Sequence, residues 1–309
     1  MLSQDIERYI DLKRATGYTY RRPEILLKQF AAYAGAFGDD FVRTQQVYDW
    51  AVEAPSPGQR RRRLLTVRRF ALMMRAEDER HEVPAADAFG RATIKRRPPH
   101  IYTAEEITQL MDAAAMMGPK GSIRPLTYVT MFGLLITTGL RISEVLALKI
   151  NDFTEDGLII RKTKFGKSRL VPLHETTRRA VSAYLASRMK IGAISDSLFV
   201  STSGQAPAYR SVDDVFLRLS ASIGLRNGNG RQPRIHDLRH TFAVRSLEQC
   251  PHDREAVSRH MAALSTSLGH TSVQNTYWYL EATPSLLTYI AEAGEGLYAK
   301  TSRNEVHHV

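Results

Sequence analysis

The 309-residue sequence contains one cysteine, Cys250, so an intramolecular disulfide is excluded. A single thiol is typical of proteins from reducing compartments. Long hydrophobic runs are also missing. The longest, MFGLLITTGL at 131–140, is about half the length that a membrane-spanning helix requires, and the N-terminus lacks a signal-peptide core. We therefore expect a soluble, cytoplasmic protein with no membrane partner.

Acidic residues are few relative to basic ones. The 32 Asp and Glu residues face 43 Lys and Arg residues, which gives a net charge of +11. Such an excess favours a polyanionic partner, and nucleic acid is the first candidate. The hydrophobic content of 43% is sufficient for folded cores, and 309 residues exceed one ordinary domain of about 100–200 residues. We therefore expect two domains.

Spacing of apolar residues predicts where the domains lie. Residues 1–82 read as a helical domain, because apolar residues such as Ile6 and Ile10 recur at helical spacing without strand-like alternation. Residues 83–100 contain three prolines and no periodicity, and are interpreted as a basic linker. Residues 101–309 form the second domain. The elements predicted in it are a helix from Thr103 with Glu106 in a capping box, a helix over 123–138 ending at Gly139, strands over 158–162 and 168–172, and helices from His174 onward. The fold class is mainly α with a small antiparallel β-sheet.

A run of arginines stands out in the first domain. The segment 60–69 has six arginines and no acid, while Leu64, Leu65, Val67 and Phe70 supply a buried side. Such a run is often a solvated helix face, but unpaired like charges repel one another unless phosphates neutralise them. The candidate DNA-binding residues are Arg60, Arg61, Arg62, Arg63, Arg68 and Arg69, with Lys95, Arg96 and Arg97 in the linker.

The second domain contains an ordered set of cationic or cationisable residues followed by a tyrosine: Arg141, Lys164, His236, Arg239, His270 and Tyr279. These are the groups that a metal-free DNA-breaking site needs, with several cations around one phosphate and a hydroxyl to attack it. Glu144 lies three residues after Arg141, on the same helix face, and can fix its guanidinium. The adjacent Asp213 and Asp214 are interpreted as surface residues, and no metal or other cofactor is expected.

The strings TTGLRISE, RKTKFGKSRLVPL, IHDLRHTF and SLGHTSVQNTYWYL closely resemble those of the tyrosine recombinase (phage integrase) family. The resemblance implies an N-terminal helical core-binding (SAM-like) domain and a catalytic domain. It also implies that Tyr279 attacks the phosphate, that Lys164 protonates the leaving 5′ oxygen, and that the remaining cationic residues contact the phosphate. Glu144 would support Arg141.

Several assignments remain open at this point. Lys162 and Lys167 compete with Lys164, His240 lies on the same helix as His236, and Tyr277 precedes Tyr279 by two residues. From Arg239 to His270 there are 31 residues, several more than in compact family members, which puts local contacts in doubt.

The resemblance also implies partners. They are double-stranded DNA and further copies of the protein, which would form a tetramer on DNA at the nucleoid. The chain also resembles the subgroup encoded in multi-recombinase operons of transposon-like elements. Membership of that subgroup would add sister recombinases as partners. The segment Pro284 to Leu297 resembles the C-terminal helix that recombinases dock onto a neighbouring protomer. The predicted function is site-specific recombination for integration, excision or transposition. Alternatives are a catalytically silent DNA-binding accessory protein and, third, a metal-dependent nuclease or transposase.

Overall fold

The computed structural model describes residues 2–90, 97–161, 168–192, 195–249 and 254–269. The chain divides into two compact units, Met1–Arg97 and Pro98–Val309. Each unit has its own hydrophobic core. Within the described residues, no helix combines the length and hydrophobicity that crossing a bilayer requires.

Four helices build the described part of the first unit. They are α1 (Leu2–Ala15), α2 (Arg21–Gly35), α3 (Thr44–Val52) and α4 (Pro57–Met74). Their buried faces meet in a core that includes Ile10, Phe30, Trp50 and Phe70. Ser56 caps α4 by accepting the backbone N–H of Gln59, and Pro57 follows the cap, a position that tolerates proline because its missing N–H would have no helical partner. The predicted helical character of this region is confirmed.

Part of the segment predicted as a linker packs on the first unit. Val83 and Phe89 contact its hydrophobic core, and Arg68 donates a hydrogen bond to the carbonyl of Pro84 (2.6 Å). The backbone N–H of Ala85 donates to the Tyr48 hydroxyl (3.1 Å). Residues 83–90 are therefore held to the helices before them, while the boundaries proposed for the linker stay a prediction.

The second unit begins with the helices that the sequence predicted. They are α5 (Ala104–Ala115), α6 (Arg124–Thr138) and α7 (Ile142–Ala147). A capping box starts α5, because Thr103 accepts the N–H of Glu106 (3.1 Å) and the Glu106 carboxylate accepts the N–H of Thr103 (2.9 Å). Gly139 ends α6 in the left-handed conformation, with a φ of 63°.

A three-stranded antiparallel sheet follows, with strands in the order β1 (Phe153–Thr154), β2 (Gly157–Ile160) and β3 (Arg169–Val171). Leu158 pairs with Val171, and Ile160 pairs with Arg169. The predicted hairpin of β2 and β3 is confirmed, and its turn lies outside the described residues. The two-residue strand β1 is not foreseen by the sequence analysis, because it is too short to show an alternating pattern.

Four more helices complete the described part of the second unit: α8 (Glu175–Lys190), α9 (Tyr209–Ser222), α10 (Asp237–Glu248) and α11 (Arg254–Leu268). The main core runs through α6, the sheet, α8 and α9, and includes Phe132, Leu158, Tyr184 and Phe216. A smaller cluster joins α10 to α11. The fold is mainly α with a small antiparallel sheet, as predicted.

Candidate active site

Arg141 lies between two helices, directly before α7 and two residues after the glycine that ends α6. Glu144, in the first turn of α7, accepts hydrogen bonds from the Arg141 backbone N–H (2.9 Å) and from Arg141 Nη1 (2.9 Å). The Glu144 side chain is 9% exposed and that of Arg141 31% exposed. The predicted pair is therefore formed, and the arginine is fixed on one side while it stays partly open to solvent.

A second arginine, Arg169 on β3, holds the same carboxylate. Its Nη1 donates to Glu144 Oε1 (3.1 Å), its Nη2 donates to Oε2 (3.0 Å), and its Nε donates to the carbonyl of Ser267 (2.8 Å). Burial acts to raise the pKa of Glu144, but the hydrogen bonds from Arg169 and Arg141 outweigh it and lower the pKa below its ordinary value. Glu144 is therefore ionised at neutral pH. The sequence analysis assigned no role to Arg169.

Arg239 is buried and connects two helix ends. Its Nη1 donates to the carbonyl of Gly139 (2.8 Å), and its Nη2 donates to the carbonyl of Leu268 (2.7 Å). Only 2% of the residue is exposed. Gly139 has no room for a side chain, because a Cβ atom there would collide with the ring of Phe242. The guanidinium of Arg239 therefore bridges the C-terminal ends of α6 and α11.

Two histidines lie at the start of α10. The rings of His236 and His240 stand edge to face with centroids 4.9 Å apart. His236 remains exposed to solvent, whereas His240 is buried. Desolvation and the positive charge of Arg239 lower the pKa of His236 well below its ordinary value, and burial lowers the pKa of His240 to about 3. Both rings are therefore neutral at physiological pH.

The C-terminal end of α11 receives three arginines. The consecutive carbonyls of Ser267, Leu268 and Gly269 accept hydrogen bonds from Arg169, Arg239 and Arg141 respectively. The contact from Arg141 Nη2 to Gly269 is the longest of the three, at 3.4 Å. Carbonyls at this end of a helix lack helical partners and carry its partial negative charge, which suits cations. Gly269 has a φ of 64°, so α11 ends at the predicted glycine.

The structure brings together four of the predicted site residues. Arg141 and Arg239 donate to the end of α11, Glu144 pairs with Arg141, and His236 is close enough for the charges of both arginines to lower its pKa. The other three, Lys164, His270 and Tyr279, lie outside the described residues, as do their competitors Lys162, Lys167 and Tyr277. Asp213 and Asp214 lie on α9, where Asp214 is exposed and Asp213 is partly buried. In the described part of the chain, no group of three or more His, Cys, Asp or Glu residues is arranged to hold a metal ion.

The six arginines of α4 fall into two groups. Four donate hydrogen bonds to carbonyls of their own unit: Arg60 to Ala54, Arg61 to Gly90, Arg63 to Trp50 and Arg68 to Pro84. Arg62 and Arg69 are exposed, and no described residue forms a hydrogen bond or ion pair with either. Of the basic linker residues, Arg97 is partly buried, and Lys95 and Arg96 lie outside the described residues.

Comparison with known proteins defines the family. Residues 101–285 match the model of the phage integrase family, which is more than half of the chain. The chain is 36% identical over 296 residues to "Putative integrase/recombinase y4rB" of Sinorhizobium fredii, covering 92% of this chain and 94% of that protein. The chain therefore belongs to the phage integrase family of tyrosine recombinases.

Solved structures share its fold. XerH site-specific recombinase, in a post-cleavage complex with its palindromic difH substrate, matches with a TM-score of 0.65 and 20% identity, over 90% of this chain and 79% of that one. A lambda integrase tetramer bound to a Holliday junction matches with a TM-score of 0.63 and 18% identity, over 90% of this chain and 76% of that one. The expected family and fold are thus confirmed.

Proposed function

We propose that this protein is a site-specific DNA recombinase that cuts and rejoins DNA through a 3′-phosphotyrosyl intermediate, in the integration, excision or transposition of a mobile element. The observation that carries the proposal is the meeting of Arg141 and Arg239 at the end of α11, directly before His270 in the chain, with His236 close enough for the charges of both arginines to lower its pKa. Family membership supports the same reaction. The decisive experiment is incubation with a nicked suicide duplex, followed by denaturing electrophoresis to detect protein joined to DNA.

The proposed reaction begins with attack of the Tyr279 oxygen on a DNA phosphate. One O–P bond forms, the bond from phosphorus to the 5′ oxygen breaks, and Lys164 supplies the proton that this oxygen takes up. The phosphotyrosyl bond conserves the energy for rejoining. A free tyrosine has a pKa near about 10, so its proton must leave as attack begins. The proposed acceptor of that proton is His236, because it is exposed and its neutral ring has a nitrogen without a proton, whereas the buried His240 packs against it.

Charge in the transition state is carried by arginines. A guanidinium presents a planar fork that matches phosphate oxygens, and donors fixed in advance need no reorganisation during the reaction. Arg141 is fixed by the ionised Glu144 and keeps part of its surface open. Arg239 is fixed by the carbonyls of Gly139 and Leu268. The proposed roles of both arginines are to bind the scissile phosphate, together with His270.

The first prediction is metal independence. The proposed site supplies its positive charge from side chains, so a covalent protein–DNA complex should form at the same rate in excess EDTA as in magnesium. The measurement is adduct yield against time on the suicide duplex. Strict dependence of cleavage on added magnesium would contradict the proposed chemistry and favour the metal-dependent nuclease or transposase.

The face of α4 that carries Arg62 and Arg69 is proposed to contact DNA. The two residues are seven apart, so they lie on one side of the helix about 10 Å from each other. Arg62 lines a groove with Arg22, and Arg69 lines a second groove with Lys13. The four arginines that hold carbonyls of their own unit instead orient this face.

The second prediction concerns salt dependence of DNA binding. Each lost phosphate contact reduces the log–log slope by about 0.9, so replacing both Arg62 and Arg69 with glutamine should flatten it by about 1.8. The matched control is a double replacement of Arg8 and Arg80, which are exposed but already paired with Glu77 and Asp78. The control should leave the slope near that of the parent, although it removes the same charge. An equal change of slope in both double variants would mean that Arg62 and Arg69 add only general positive charge and do not contact phosphates.

Assembly on DNA is the last part of the proposal. The fold is shared with a lambda integrase tetramer bound to a Holliday junction, which supports a tetramer of this protein on paired recombination sites. Sister recombinases are proposed as additional partners. A parent protein that binds its DNA site but forms no covalent complex would identify it instead as a silent accessory protein.

A further inference from the structure

Arg169 is the one arginine at the end of α11 that the proposed reaction does not use. Its side chain is largely buried, at 11% exposed. All three of its nitrogens donate hydrogen bonds, two to the Glu144 carboxylate and one to the carbonyl of Ser267. Its packing is tight, because a Cβ atom on Gly269 would lie 2.7 Å from Arg169 Nη1.

The hydrogen bonds to Glu144 occupy its full capacity. A carboxylate has about four lone-pair positions. Oε1 accepts from Arg141 Nη1 and Arg169 Nη1, and Oε2 accepts from the Arg141 backbone N–H and Arg169 Nη2. Arg141 therefore gives Glu144 only one of its two Nη atoms, and its Nη2 makes just the long contact with Gly269.

Without Arg169, the Glu144 carboxylate would lose two of its four hydrogen bonds. Its carboxylate is buried, and a buried charge that loses a partner is strongly driven to recover hydrogen bonds. A donor already at the carboxylate is Arg141, whose second Nη makes only the long contact with Gly269 and can leave it to complete a two-pronged pair with the carboxylate. That pairing would turn the fork of Arg141 towards Glu144 and away from a phosphate.

We propose that Arg169 is a positioning residue of this active site, which saturates the Glu144 carboxylate so that Arg141 keeps one edge of its guanidinium for the scissile phosphate. Through the Ser267 carbonyl, Arg169 also ties β3 to the end of α11. The inference rests on the proposed function, since it assigns Arg141 to the phosphate. The site thus contains two arginines, Arg141 and Arg239, with a proposed role at the phosphate, and a third, Arg169, that orients Arg141.

The experiment measures the rate of covalent complex formation at saturating DNA, on a nicked duplex with the core sequence that the protein selects from a randomised pool. Arg169→Gln should slow this rate by about 10- to 100-fold, the scale of a small misplacement in an active site. Its affinity for uncut DNA should change by less than about threefold, because Arg141 is one contact among many. The rate of covalent complex formation by Arg169→Lys should lie between those of the parent and Arg169→Gln, since a lysine keeps the charge but cannot donate to both carboxylate oxygens of Glu144 as the guanidinium does.

The matched control is Arg161→Gln. Arg161 pairs with the buried carboxylate of Asp152 beside the same sheet but contacts none of the site residues described above. Its removal should lower the thermal midpoint and leave cleavage within about threefold of the parent. Each variant is measured well below its unfolding temperature. If the Arg161 and Arg169 variants slow cleavage equally, the ion pair of Arg169 has only a structural role. If Arg169→Gln fails to fold, Arg169→Lys takes its place in this comparison.

A double variant tests whether Arg169 acts through Glu144. In a Glu144→Gln background there is no buried carboxylate to saturate, so adding Arg169→Gln should slow cleavage by less than about threefold more. Full additivity of the two effects would overturn the proposal, because Arg169 would then act only through Ser267. Parental rates in Arg169→Gln would overturn it directly.

A measurement without DNA separates this inference from the proposed function. Carboxyl-carbon NMR of Glu144 should show a higher pKa in Arg169→Gln than in the parent, because the hydrogen bonds that lower the pKa are lost. A parent that never forms a covalent complex, with this shift present, contradicts the proposed function but keeps Arg169 as the partner that holds Glu144 charged. An unchanged Glu144 pKa contradicts the inference whatever the DNA chemistry shows.

Discussion

Replacing Tyr279 with phenylalanine is expected to abolish the covalent protein–DNA complex and leave DNA binding intact. Phenylalanine keeps the aromatic ring and its packing but lacks the oxygen that attacks phosphorus. Without that oxygen no phosphotyrosyl bond can form, so the expected loss is complete within detection rather than partial. The measurement is adduct formation on the nicked suicide duplex, with affinity for the uncut duplex determined in parallel.

The matched control is Tyr277→Phe, which makes the same chemical change two residues earlier. Tyr279 follows His270 by nine residues and precedes Leu280, as in the family pattern, whereas Tyr277 is expected to pack. The control should therefore retain covalent activity. An adduct formed by Tyr279→Phe, or mapped to Tyr277 by peptide sequencing, would reassign the nucleophile and leave the recombinase proposal intact.

Local signals explain why most helices of the second unit could be predicted from the sequence. The capping box of Thr103 and Glu106 and the terminating glycines Gly139 and Gly269 are each written within a few residues, and each forms as expected. The pair of Arg141 and Glu144 is also local, since it lies within one helical turn. The sequence therefore predicts where these side chains sit along their elements.

Long-range partners explain what the sequence could not reveal. Arg169 acquires its role from Glu144, 25 residues earlier, and from Ser267, 98 residues later. In the sequence it is only a basic residue in a short apolar strand, although a charged side chain in such a strand signals a need for a partner. The partners of the α4 arginines could not be predicted for the same reason. No local sequence pattern indicates that Arg63 and Arg68 donate hydrogen bonds to the carbonyls of Trp50 and Pro84.

The burial of His236 and His240 also could not be predicted from the sequence. Both histidines lie on one face of α10, so their spacing alone does not choose between them. Packing makes them different: His236 stays exposed while only 8% of His240 is exposed. The assignment of His236 to the reaction remains a prediction, now supported by its exposure to solvent.

Arg239→Lys is expected to give the second large effect, a loss of cleavage by about 100- to 1,000-fold together with lower stability. The range is that measured when one preorganised donor to a developing charge is removed. Lysine keeps the positive charge but cannot span the carbonyls of Gly139 and Leu268 as the planar guanidinium does. At least one buried carbonyl would lose its partner, at a cost of about 1–3 kcal/mol in the free energy of unfolding.

Arg245→Lys is the control for this prediction, because it alters another arginine of α10 that also donates to a carbonyl, that of Tyr102 (2.7 Å). It should lower stability by a smaller amount, because this single hydrogen bond is only partly buried, and leave the cleavage rate within about threefold of the parent. Equal losses of cleavage in both variants would mean that destabilisation of α10 explains the effect. If Arg239→Lys unfolds at lower denaturant but cleaves at the parental rate, Arg239 holds α6 and α11 together without acting on the phosphate, and the transition-state charge must be carried by Arg141 and His270.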